Sequence, residues 1–230
     1  MTETLVTQKV SIVLRPIMAE IEVKDRIKTA AHDLVMKYGV RAVSMDDISA
    51  SVGMSKKTLY HYYQDKDELV KAVIDDILED NKCTCDEFVN KAENAIHEVF
   101  LTMEMMVETF SEMNPAILFE LQKYHPSAYQ TFAKFKGEFI YQSIRANLER
   151  GKREALYRED INAEILSRYR MEAVFIPFNP EFQRALNKFI LMEIEEQIIL
   201  NFLLGLVSLK GYKLAMKYLE QKNKTVSKNQ

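Results

Sequence analysis

A chain of 230 residues suits one or two domains and is long enough to bury a sizeable core. Only 6 glycines and 5 prolines punctuate a sequence that is 47% hydrophobic, and strand-like alternation is scarce, so the composition predicts an all-α protein. The net charge of −3 excludes a uniformly basic nucleic-acid binder, and two cysteines, Cys83 and Cys85, are too few for a disulfide scaffold.

Residues 1–21 are poorly patterned and end near Pro16 and Met18, which predicts a flexible N-terminal arm; Met18 as an alternative start is left open, so residues 1–17 are not securely part of the protein. The opening residues lack a charged stretch followed by an apolar core and a small-residue cleavage site, so no signal peptide is expected. Residues 24–38 form an amphipathic helix, with Ile27, Ala30, Ala31, Leu34, Val35 and Tyr38 at three- and four-residue steps, ended by Gly39.

Residues 44–69 organise the chain. Ser44 followed by Asp47, and Asp65 followed by Glu68, have the form of capping boxes, while Ser55 caps through its hydroxyl alone. Gly53 supplies the left-handed turn between the first two starts. The result is a short helix over residues 45–52, a tight turn, and a second short helix over 56–62, which is a helix-turn-helix spacing. Ile48 and Val52 share the inner face of the first helix, and Leu59 and Tyr63 that of the second. Lys56, Lys57, Tyr60 and His61 are left on the outer face, as cations and hydrogen-bonding aromatics suited to phosphates and base edges. Tyr62 and Lys66 flank them as phosphate holders, and Thr58 lies at the edge of the face. The candidate DNA-contacting set is therefore Ser44, Met45, Ser55, Lys56, Lys57, Thr58, Tyr60, His61, Tyr62 and Lys66. Charge agrees: residues 24–66 carry 8 Lys and Arg against 5 Asp and Glu, a net +3 that leaves −6 on the remainder. A basic reader on an acidic body limits nonspecific adhesion.

This run resembles the DNA-binding domain of the tetracycline-repressor (TetR) family. The matching motifs are Tyr38–Gly39, SMDDIS at 44–49, VGMS at 52–55, TLYHYY at 58–63 and KDEL at 66–69, in that order and spacing. Where Tyr63 stands the family more often has Phe, a small change on a buried face. The resemblance implies a three-helix reader at residues 22–66 followed by a helical regulatory and dimerisation domain at 67–222; the polar tail at 223–230 is expected to fray. It also implies that ligand in the body shifts the helix after the reader and respaces two reading heads.

That next helix covers residues 66–80, with Leu69, Val70, Val73, Ile74, Ile77 and Leu78 as its stripe. Residues 83–86 interrupt the pattern, and helix returns over 87–113 until Asn114–Pro115 breaks it. Residues 116–124 form a short helix; Ser127 caps a long one that Gly151 ends. A helix follows from 160 or 162 to 175, a loop with two prolines over 176–180, one long helix over 181–208 and a last short one over 212–219.

The apolar residues of 189–207 cover more than one face, which predicts burial against the body on one side and the same helix of a second chain on the other. Glu193, Glu195 and Glu196 inside that window argue against a membrane span. In the middle helices, Met103, Met106, Phe110, Phe119, Phe135 and Phe139 are the candidate lining of an apolar ligand cavity, although such a stripe is more often plain core.

The leading expectation is a sequence-specific transcriptional regulator, a homodimeric cytoplasmic repressor on double-stranded DNA. A small hydrophobic or aromatic effector would release it from a near-palindromic operator. A second reading keeps the DNA reader without a ligand, as an architectural or partner-controlled protein. No phosphate loop, H-E-x-x-H or nucleophile elbow is present, and the four histidines are scattered, so neither an enzyme, a metal site nor a cofactor is expected.

Overall fold

The computed structural model describes residues 2–111 and 113–226. Every regular element among them is helical, beside one isolated antiparallel bridge between Tyr157 and Val207. Helix α1 (Thr2–Tyr38) is followed by α2 (Met45–Ser51), α3 (Lys56–Tyr62) and α4 (Lys66–Lys91). The predicted helix over 24–38 thus begins at Thr2 and is carried through Pro16, which has no N–H to give the preceding turn.

The head's caps act as the sequence foretells, whereas Ser127 caps nothing: its helix begins at Pro126, after His125. Ser44 Oγ accepts the Asp47 N–H while Asp47 Oδ2 accepts the Ser44 N–H at 2.8 Å, and this bonding holds the Asp47 carboxyl below its ordinary range. Ser55 Oγ accepts the Thr58 N–H, and Asp65 Oδ1 accepts the Glu68 N–H at 2.8 Å. Gly39 and Gly53 take φ of 84° and 66°, where a side chain would be strained. Ile27, Ala31 and Val35 form the buried floor of the head under Ile48, Leu59 and Tyr63, whereas Tyr38, expected on that floor, is 52% exposed.

The body contains α5 (Ala95–Phe110), α6 (Ile117–Tyr124) and α7 (Pro126–Phe135). A π-helical turn at Lys136–Ile140 joins α7 to α8 (Tyr141–Arg153). It is completed by α9 (Ala163–Phe175), α10 (Pro180–Ala185), α11 (Leu191–Leu206) and α12 (Leu209–Val226). Four boundaries differ from expectation. The break foreseen at 83–86 lies instead at 92–94: Thr84 turns its hydroxyl onto the Asp80 carbonyl and stays helical, and Asn94 caps α5 by accepting the His97 N–H. The rod expected over 181–208 is two helices, because the Glu193 carboxylate accepts the Ile190 N–H and starts α11 afresh. The helix expected to stop at Gly151 runs on to Arg153, and the last one continues to Val226; the final four residues of the expected tail lie outside those described.

The head's apolar cluster does not stop at residue 66. Leu69, Val70, Val73, Ile74 and Leu78 of α4 extend it into the body, where Ile117, Leu121 and Ala128 join it. A second cluster gathers α5, α8, α11 and α12 around Ile96, Met103, Leu148, Tyr157 and Leu203. Two polar ties fasten the head from the α6 side: Glu120 Oε2 accepts the Arg41 N–H at 2.9 Å, and His125 Nδ1 lies 2.6 Å from Asp67 Oδ1.

Candidate DNA-reading surface and body cavity

Helix α3 buries Leu59 completely and presents Lys56, Lys57, Tyr60 and His61 to solvent. Lys56 is engaged: its ammonium lies 2.8 Å from Asp46 Oδ1 of α2, and that bond raises it above its ordinary range. Lys57 and Tyr60 project with no side-chain hydrogen bond or ion pair among the described residues, and His61 stands edge-on to the Tyr62 ring at 5.3 Å. Ser44, Ser55 and Thr58 are exposed beside them, but their hydroxyls serve the caps, with Ser55 and Thr58 oxygens 2.8 Å apart. Tyr62 is half-buried.

Two members of the sequence-derived set stand apart from this surface. Met45 is buried, because it is the first residue of α2 and closes the top of the head's core. Lys66 is turned inward. Its ammonium donates to the Val40 carbonyl at 2.5 Å, tying the start of α4 to the loop after α1, and burial draws its pKa down. Lys66→Ala is therefore expected to lower the stability of the protein by about 1–2 kcal/mol, measured by urea unfolding, from the loss of a charge-assisted bond in a half-buried place. Unchanged stability with weakened DNA binding would restore the phosphate role to this lysine.

Between the two apolar clusters lies a cavity of about 270 Å³. Its walls come from α4, α5, α6, α7, the π turn, α8, α9 and α11, with Met36 of α1 and Phe178. Met106, Phe110, Phe135 and Phe139 of the sequence-derived set line it. Met103 and Phe119 do not: Met103 is locked in the second cluster, and Phe119 is 44% exposed on α6 beneath the Lys123 ammonium. The wall also holds Ile74, Ile77 and Leu78 of α4, the helix that runs from the head. The π turn places Phe139 and Ile140 on the cavity, and such widened turns recur where a helix bends around a site.

Sequence reasoning passed over two groups in this region. Arg170 of α9 lines the cavity and is 5% exposed; Glu195 of α11 is 1% exposed. Neither Arg170 Nη1 nor either Glu195 oxygen has a hydrogen-bond partner. Burial pushes the Glu195 carboxyl up to about 7 against the pull of Arg170, and burial lowers the Arg170 pKa against the pull of Glu195. The folded protein thus keeps a proton on Glu195 that the unfolded chain releases at lower pH, and the associated stability is lost as pH rises through about 7. Glu195→Gln is expected to leave stability near pH 4 unchanged and to raise it at pH 8 by about 3 kcal/mol, read from urea unfolding at both pH values.

No helix of the described residues is long and apolar enough to cross a membrane. The faces of α9 and α11 away from the body expose Ile165, Tyr169 and Leu204, with Tyr169 6.0 Å from the half-buried Phe202 ring.

Residues 27–73 match the family described as "Bacterial regulatory proteins, tetR family". The chain is 28% identical over 158 residues to the uncharacterized HTH-type transcriptional regulator YvaF of Bacillus subtilis (strain 168), covering 68% of this chain and 82% of that protein. It is 25% identical over 167 residues to the HTH-type transcriptional regulator UidR of Escherichia coli (strain K12), covering 66% and 78%. Among solved structures, a TetR-family transcriptional regulator from Agrobacterium tumefaciens superposes with a TM-score of 0.66 over 82% of this chain and all of that one, at 16% identity. The reduced form of E. coli NemR gives a TM-score of 0.64 at 11% identity, covering 80% of this chain and 97% of that one. At these identities the two structures speak for the fold alone.

Proposed function

We propose that this chain, a DNA-binding transcriptional regulator of the tetR family, acts as a homodimeric repressor that leaves a near-palindromic operator when a small apolar molecule enters the body cavity. The observation that carries the reading is the division of α3: one face sealed into the head, the other presenting Lys57, Tyr60 and His61 unobstructed. A helix of that kind enters a major groove, where Lys57 meets phosphates or guanine edges and Tyr60 and His61 meet bases or backbone. The DNA-contacting set of this proposal is Ser44, Ser55, Lys56, Lys57, Thr58, Tyr60, His61 and Tyr62; Lys66 and Met45 support it from within the head. The head spans residues 22–66 and the regulatory body 67–222, with α4 common to both.

One α3 of seven residues covers few base pairs, so two are required, set about 34–36 Å apart on successive turns. The exposed Ile165, Tyr169 and Leu204 face supports pairing through α9 and α11 about a two-fold axis. Release follows from geometry. The cavity shares Ile74, Ile77 and Leu78 with α4, so a molecule that binds better when α4 is displaced draws the two heads out of register with the operator.

Two measurements test this reading. Sedimentation at micromolar concentration is expected to give twice the monomer mass, and footprinting on the DNA flanking the gene is expected to give a two-fold symmetric site. A monomer with an asymmetric footprint refutes the dimeric reader.

A further inference from the structure

The cavity is largely apolar; Asn81, Cys85, Asp86 and Ser143 also reach its wall, and four other polar wall groups are partnered within the protein. Glu98 is paired with Arg150 at 3.0 Å, and the Asn147 amide donates to the Ala95 carbonyl and accepts from Tyr157. Thr102 and Thr109 turn their hydroxyls onto carbonyls of their own helix. Arg170 is different. It reaches the wall from α9, its Cζ stands 5.8 Å from the Phe202 ring centroid, and Nη1 bonds to nothing.

A guanidinium keeps its charge in a protein, and burying it without a contacting anion is costly. The acid set against it is Glu195, whose oxygens also bond to nothing, which makes no ion pair with the guanidinium, and whose carboxyl burial pushes up to about 7. The wall therefore offers an uncompensated cation inside an oily chamber. Phe110, Phe135 and Phe139 supply the apolar surroundings. A volume of about 270 Å³ lies at the small end of ligand cavities, which favours a single ring or a medium-length chain over a polycyclic or nucleotide-bearing molecule.

We propose that the cavity takes a small carboxylic acid, with an apolar chain or ring among the phenylalanines and its carboxylate against the Arg170 guanidinium. Two N–H groups of a guanidinium match the two oxygens of a carboxylate, so the contact is both charged and directional. Binding relieves the buried cation and lets Glu195 remain protonated. The inference deepens the effector reading and rests on it for biological meaning, but the chemistry of the cavity is measured without DNA.

The test is calorimetric titration of the full chain with decanoate, 1-decanol and decylamine, which share a chain and differ in head group. Decanoate is expected to bind at least about tenfold more tightly than decanol, the worth of one charge-assisted bond. Arg170→Gln is expected to erase that preference while decanol binding is kept, and Glu195→Gln, which retains Arg170, to keep or strengthen it. Equal binding of decanoate and decanol overturns the proposal, as do a preference for decylamine, a decanoate preference that survives Arg170→Gln, and failure of all three to bind. Operator release is measured separately by anisotropy. Release by decanol with no advantage for decanoate sinks the acid and leaves the effector reading standing; tight decanoate binding with no release does the reverse.

Discussion

Lys57→Ala and Tyr60→Ala are each expected to weaken specific operator binding about tenfold to a hundredfold while the thermal melting curve stays where it was. Both side chains stand on the exposed face of α3 and make no bond that the head needs. The two variants are expected to differ in kind. Loss of the Lys57 charge removes a counterion-releasing contact, so the salt dependence of binding becomes shallower by about one ion. Loss of the Tyr60 ring removes contacts within the groove, so the slope with salt is kept while discrimination between operator and random DNA falls. Binding of both variants at wild-type strength, by anisotropy at two salt concentrations, would mean that α3 is not the reading element.

Gly151→Ala and Gly211→Ala carry the largest expected losses of stability, about 2–4 kcal/mol each. A methyl group built on Gly151 would lie 2.0 Å from Cδ2 of the Tyr157 ring. That ring is not free to yield: it is 1% exposed, its hydroxyl donates to Asn147 Oδ1 at 2.9 Å, and it fills the second apolar cluster. A methyl on Gly211 would lie 2.0 Å from the Leu156 carbonyl oxygen, which is backbone and has still less room to move. Neither glycine has a positive φ, so the cost is one of space, and the helix preference for alanine offsets only about 1 kcal/mol of it. Gly137→Ala is the control: nothing lies within 4 Å of the new methyl, and stability is expected to hold or rise slightly. Urea unfolding with the three variants side by side decides the matter, and equal midpoints would remove the packing argument.

The head was legible because its signals are local. A serine with an acid three residues on, a glycine at a left-handed turn and apolar pairs four apart are written within a few residues of the contacts they make. Lys66 and Met45 escaped for the opposite reason: a lysine beside an acidic helix start looks like a surface cation until the Val40 carbonyl, 26 residues away, arrives to receive it. The body's helical character is legible and its divisions are not: C-T-C carries no strong helix signal and yet costs little inside one, and the expected rod over 181–208 is two helices. Arg170 and Glu195 left a trace that periodicity held and charge disguised. Leu191, Glu195, Ile199 and Leu203 fall at strict four-residue steps, and so share one buried face. The charge of Glu195 speaks against a membrane span, while its position places it in the buried stripe. Arg170 stands three residues after Ser167, itself wholly buried, by the same logic.

The head's oily centre passes without a seam along α4 to Ile117, Leu121 and Ala128. A fragment cut after Lys66 would expose the undersides of Leu59 and Tyr63, whose neighbours Leu69, Val70 and Val73 would be gone. The reader is therefore no detachable module. Grafted onto another protein it must bring α4, and with α4 comes one wall of the body cavity.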